Sequence, residues 1–166
     1  MDNFFSLIGE RIRLYPQIKI GKTVEVFLNK AVLMRLGLTN MNALRDRYEG
    51  QSFLDKHRSR LFSNLAIREY QGEIVRSRSF KLIDEDENIV NIKGQSYSIQ
   101  VCQFGEMPLF KNIDNFKRPV ILVYQRDIYW IHILGIISIE NASEPSNYSK
   151  RGNYFEYQAF NNLTKL

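Results

Sequence analysis

Cysteine and histidine are almost missing from this chain of 166 residues, which has one Cys, Cys102, and two His, His57 and His132. A single thiol excludes an internal disulfide framework and any cysteine-rich zinc module. Two imidazoles are too few for a His-built metal centre. A metal here would sit on carboxylates, which means Mg²⁺ or a similar hard cation. The glycine signatures of common sites are missing as well: there is no Gly-x-Ser-x-Gly elbow and no Gly-x-Gly-x-x-Gly. Gly21-Lys22-Thr23 has the end of a phosphate-binding loop, but Pro16 stands where its first glycine belongs. No apolar run is long enough to span a bilayer, because the stretch 119–139 is broken by Gln125, Arg126 and Asp127. No membrane partner is therefore expected. The first fourteen residues carry Asp2, Glu10, Arg11 and Arg13, so an export signal is not expected either. With one free thiol, a reducing, cytoplasmic setting is the expectation.

What is present is material for a core. Hydrophobic residues make up 44% of the chain and the aromatics alone 13%, which excludes a wholly disordered polymer and suits one domain. The net charge is +5, and it is unevenly placed. Residues 1–78 hold 14 Lys or Arg against 8 Asp or Glu, whereas residues 79–166 hold 9 against 10. A basic surplus in one half is the asymmetry expected where that half faces a polyanion, although a basic soluble domain with no such partner has the same count.

The first half reads helical. Val24–Leu36 is a helix candidate stopped by Gly37, Asn40 can cap a second short helix over 41–48, and Ser52 can cap a longer one to Tyr70. On that third helix Leu54, Leu61 and Leu65 share a face, with Lys56, Arg60 and Arg68 around the other side. The helix–Gly-Leu-Thr-Asn–helix spacing fits either ordinary helix packing or a helix-turn-helix. The second half reads as strands: 73–80, then 88–93 and 96–103 as a hairpin turning at Gly94-Gln95, then 119–124, 128–139 bent at Gly135, and a short one within 153–160. Residues 105–117 read as loop or short helix, and 140–152 as polar connection. The continuous apolar run of 119–124 is what a strand buried on both faces requires. The fold class is α/β with an α+β-like order, N-terminal helices packed on a central mixed sheet.

Few residues offer chemistry. Cys102 and His132 could meet in space, but a buried strand cysteine is ordinarily inert and a histidine flanked by Ile131 and Ile133 is ordinarily a sheet residue. The acidic run Asp84-Glu85-Asp86-Glu87 is either a solvated turn or a hard-cation site at a strand mouth, ahead of a strand carrying Gln100 and Cys102.

The element order carries one resemblance. A helix ending Leu65-Ala66-Ile67-Arg68-Glu69-Tyr70 leads into Glu73-Ile-Val-Arg-Ser, the acidic turn, the hairpin, Arg118-Pro-Val-Ile-Leu-Val-Tyr, and Tyr129-Trp-Ile-His-Ile-Leu-Gly-Ile-Ile. Over about residues 58–163 this resembles the PD-(D/E)xK superfamily, the restriction-endonuclease-like fold of many phage, restriction and mobile-element nucleases. The resemblance implies a catalytic Asp at Asp86, or at position 88 where Asn88 stands, with Asp84 nearby. It implies a Glu/Gln at Gln100 and a lysine at the position of Cys102, where a neutral thiol cannot activate water. The helix acid of many members would fall near Ser63 or Asn64. Two accounts fit: Lys93 on the neighbouring strand has replaced the lysine, or the chemistry has lapsed while the fold and its basic surface persist.

The reading is a nucleic-acid-binding protein, with DNA as the expected partner, on such a fold. Residues 1–57 would form a helical extension and 58–166 the nuclease-like core, together one unit. Phosphate contacts are expected at Arg45, Arg47, Lys56, Arg58, Arg60, Arg76 and Arg78. An active version would hold Mg²⁺ or Mn²⁺ at Asp84 and Asp86, with Gln100 and Lys93 beside it. The remaining possibility is an interaction subunit, in a homodimer or larger complex, with Trp130 and tyrosines as anchors.

Overall fold

The computed structural model describes residue 9 and residues 12–45, 50–72, 88–103, 106–127 and 129–166. The first regular strand, β1 (Gln17–Lys19), precedes the helices, so the purely helical reading of the first half needs correcting. Helix α1 (Lys22–Arg35) follows, then α2 (Met41–Arg45) and α3 (Gly50–Tyr70). Gly37 ends α1 at φ +67, where its N–H bonds Met34 O and the Leu38 N–H bonds Leu33 O, the paired bonds of a Schellman stop. Asn40 caps α2 as expected, its Oδ1 accepting from Ala43 N at 2.8 Å.

Strands β2 (Ile89–Ile92) and β3 (Gln95–Gln103) form the expected hairpin. Its two-residue turn is Lys93-Gly94, with φ 49 and 83, one residue earlier than the sequence suggests. The segment read as loop contains the two-residue strand β4 (Leu109–Phe110). β5 (Val120–Gln125) is buried at every position, as its apolar run requires, and β6 (Trp130–Ile137) follows. The region read as polar connection is ordered instead: the one-turn helix α4 (Ile139–Ser143), a 3-10 turn, and β7 (Tyr148–Arg151), which pairs with β8 (Tyr154–Tyr157).

These strands form two sheets. The central one is mixed, in the order β1-β6-β5-β3-β2, with β3 and β5 parallel and the other pairs antiparallel. The second has three strands, β4-β8-β7. Side-chain alternation sends Ile121 and Val123 of β5 toward the helices, and Val120, Leu122 and Tyr124 toward the small sheet. β6 changes phase on the way. Leu122 pairs with Gly135 and Val123 with Ile133, which leaves Leu134 as an extra, bulged residue. Ile131 and Ile133 thus face the helices, while Leu134 and Ile137 face the small sheet. Gly135 sits at φ +142, and a Cβ there would lie 2.7 Å from the carbonyl oxygen of Thr164, which bridges Ile136.

α3 lies across the helix-facing side and runs unbroken through the 57/58 boundary, and β1 is a strand of the central sheet. The face-only burial expected of α3 also needs correcting. Residues 61–67 are buried on every side, including Ser63 and Asn64. Ser63 Oγ donates to Ser59 O at 2.9 Å, and Asn64 bonds Ile89 O at 3.0 Å while accepting from Arg68 Nε at 2.9 Å. Such partners are what make a buried polar side chain tolerable. Among the described residues no helix is long and apolar enough to cross a membrane.

Candidate functional site

The parallel pair β3 and β5 ends at Gln103 and Gln125, which are register partners. In α/β sheets the carboxyl ends of parallel strands are where ligands collect, because the chain must splay there and leaves a crevice. Such a crevice of about 290 Å³ lies here, lined by Asp55, Arg58 and Ser59 from α3, Gln103, Gln125, and Arg126 with Asp127 from the β5–β6 turn. Ser59 Oγ donates to Gln125 Oε1 at 2.5 Å and accepts from Gln103 Nε2 at 3.4 Å. Ser59 and Gln125 are buried, whereas Gln103 is exposed.

Ion pairs flank this chain of amide, hydroxyl and amide. Arg58 Nη2 bonds Asp55 Oδ1 at 2.7 Å, and its Nη1 lies 3.4 Å from Glu25 Oε1 in the first turn of α1. Glu25 Oε2 accepts from the Tyr129 hydroxyl at 2.7 Å, and that hydrogen bond raises the Tyr129 pKa above its ordinary value. Asp127 shapes the turn, its Oδ1 accepting from Tyr129 N at 2.9 Å and Trp130 N at 3.1 Å. Arg126 lies 4.0 Å from Asp127 and is about half exposed. The cleft is polar, largely hydrogen-bonded and close to electroneutral.

The residues singled out from the sequence fall elsewhere. Gln100 faces the small sheet, where Nε2 donates to Leu109 O at 3.0 Å. Cys102 is buried on the same face, its Sγ 3.3 Å from Val123 O, and burial pushes its thiol pKa far up. Ser63 and Asn64, the helix-acid positions, lie on α3 across the sheet from both. Lys93 is exposed in the hairpin turn, roughly 17 Å along β3 from Gln100 at about 3.4 Å per residue. The structure therefore does not bring Lys93, Gln100 and the helix positions together. Asn88 lies beside the middle of β3, its O accepting from Ile99 N at 2.8 Å, in a depression of about 380 Å³ with Asp114, Lys117 and Arg118. Asp84, Asp86, Arg47, Arg76 and Arg78 lie outside the described residues, and of Arg45 only the backbone, in α2, is described. Lys56 and Arg60 are exposed one turn apart on α3, and Arg58 turns into the cleft.

On β3 the Gln100 amide nitrogen is spent on a carbonyl and Cys102 is a protonated, buried thiol, so of these two side chains only the Gln100 amide oxygen is a ligand of the kind a hard cation takes. Among the described residues no three His, Cys, Asp or Glu side chains form a metal-binding group. Ser59, Gln103 and Gln125 escaped the sequence reading. The one available signal was a glutamine closing each of two apolar strands, and that gains meaning only when the strands are known to be parallel neighbours. The chain has no match among protein-family models, curated proteins or solved structures.

Proposed function

We propose that the chain is a nucleic-acid-binding protein built on a restriction-endonuclease-like frame, and that it does not cut the strand it binds. The observation that carries this reading is α3. Ahead of the stretch 61–67, which is buried all round, Ser59 of this helix is buried while Lys56 and Arg60 are exposed, in the half of the chain that holds the basic surplus. Helix, hairpin, parallel strand and antiparallel strand follow one another along the chain, and it is on this order that the resemblance rests. The absence of cutting rests on Gln100 and Cys102, whose side chains are spent on packing against the small sheet.

The test is binding to labelled single-stranded and duplex DNA and to RNA over a salt series, beside a cleavage assay with Mg²⁺ or Mn²⁺. Affinity should fall steeply with salt, and Lys56→Glu/Arg60→Glu should weaken binding and reduce the log–log slope by about 0.9 per lost phosphate contact. Absence of binding at low salt would sink the reading. Metal-dependent cleavage lost in Asp84→Asn/Asp86→Asn would restore the nuclease and place Mg²⁺ on the acidic run.

A second reading, an interaction subunit, has its own observation. Val26 and Met34 project from α1 at 61% and 70% exposure, two turns apart on one side. Trp130 is half-buried beneath the Lys19 ammonium, 5.3 Å from the ring centroid. Light scattering on the purified chain tests self-association.

A further inference from the structure

We propose that the cleft at the ends of β3 and β5 is a nucleobase pocket, in which Gln103 and Gln125 read the hydrogen-bonding edge of one unpaired base. The inference rests on the nucleic-acid reading and names what that protein would hold at this site.

The argument starts from the serine. A hydroxyl can donate one hydrogen and accept at its lone pairs, and Ser59 uses both capacities, taking an oxygen from one amide and a nitrogen from the other. These are Gln125 Oε1 at 2.5 Å and Gln103 Nε2 at 3.4 Å. Left over are the Nε2 donors of Gln125, the second Nε2 hydrogen of Gln103 and the Oε1 acceptor of Gln103, none of which bonds another described residue. Exchanging oxygen and nitrogen in both amides would still leave donors and an acceptor. The two glutamines are register partners on parallel neighbours, about 4.8 Å apart across the ladder. Side by side at the mouth of one crevice, the two amides present a donor and an acceptor together, and the edge of a base likewise pairs a ring nitrogen or carbonyl with an exocyclic or ring N–H.

Charge and size agree. Arg58 is matched by Asp55 and Glu25, and Arg126 by Asp127, so a phosphate gains little here while a neutral group meets no repulsion. Guanidinium planes are surfaces on which bases stack. The volume of about 290 Å³ is at the lower end of ligand pockets, which suits a single base.

The experiment compares binding of a base-bearing single strand with that of an otherwise identical strand carrying abasic sites, for wild type and Gln103→Ala. Gln103 is exposed at a strand end, so the substitution leaves the core intact. Wild type should prefer the base-bearing strand by roughly five- to a hundredfold, the range for one bidentate amide–base contact. Gln103→Ala should lose that preference with its salt slope unchanged, since no phosphate contact is removed. Equal binding of both strands by wild type, or a preference retained in Gln103→Ala, overturns the pocket and leaves the nucleic-acid reading standing. If wild type binds neither strand, that reading falls, and free nucleosides decide the pocket. Saturable shifts of glutamine side-chain amide resonances by adenosine, guanosine, cytidine or uridine keep it, and none removes it.

Discussion

The two faces of the central sheet are filled with different side chains and end in different chemistry. Toward the helices the core is aliphatic, with Phe62 the one buried ring among its described residues, which are otherwise Ile, Leu, Val and Ala. Toward the small sheet it is aromatic. Phe110 meets Phe116 and Tyr148 edge-to-face at 5.8 and 5.7 Å, and Tyr157 meets Tyr148 and Phe160 at 5.3 and 5.8 Å. A long helix presents ridges that branched aliphatics fill, whereas a three-stranded sheet needs large rings to close the gap. Burial pushes the Tyr157 phenol up to about 12, and its hydroxyl donates to Ala159 O at 3.1 Å.

The polar groups at the strand ends differ in the same way. On the helix side, Ser59, Gln103 and Gln125 form a chain that opens into a cleft. On the other side, Cys102, Tyr124 and His132 stand in one row across three strands and are buried. Burial, then Arg126, depresses the His132 pKa against the opposing pull of Asp127, and both ring nitrogens lack hydrogen-bond partners among the described residues. One set of strand ends thus offers open hydrogen-bonding capacity on one face and sealed, neutral groups on the other.

The largest effect should come from emptying the helix-side core. Phe62→Ala should cost about 3–5 kcal/mol in denaturant unfolding, because a fully buried ring leaves a cavity. A loss under 1 kcal/mol would mean that α3 is not the wall of that core. Gly135→Ala should cost about 1–3 kcal/mol or more, through both its φ and the clash with Thr164, and it would blur the assignment of β6 residues to the two faces. A thermal midpoint equal to wild type would remove that account of the bulge.

Ser59→Ala should cost about 1–3 kcal/mol, since it strips Gln125 Oε1 of its donor. Tyr157→Phe, on the aromatic side, should cost about 1 kcal/mol, one ordinary hydrogen bond. If the two losses are reversed, the helix-side network is the looser one. The smallest effect should be one of pH. The folded pKa of His132 lies below its ordinary 6.5, so the unfolded chain binds more protons as pH falls through 6.5, and stability drops from there until the folded pKa is reached. Thermal midpoints at neutral and mildly acidic pH should diverge less in His132→Gln. An unchanged difference would show that another group sets the slope.

Much of the architecture was readable from residue order. Apolar spacing marked α1, α3 and β5, Gly37 and Asn40 marked a helix stop and a cap, and Gly135 marked the bend in β6. β1 was not readable, because three residues that alternate exposed, half-buried and exposed carry no periodic signal, and their partner lies more than a hundred positions away. Nor was the burial of Ser63 and Asn64, which look like solvent residues until Ser59 O, Ile89 O and Arg68 satisfy them.

The local elements, the one-sided charge and the scarcity of thiol and imidazole groups are legible along the chain, because propensity, capping and composition are properties of neighbouring residues. Which side of the sheet each strand end faces was decided only in three dimensions. The parallel pairing of β3 with β5 sets two glutamines beside a serine of α3 and turns Gln100 and Cys102 into the opposite core. Strand pairing joins residues far apart in the chain, and a side-chain period of two makes the facing of each one depend on that register.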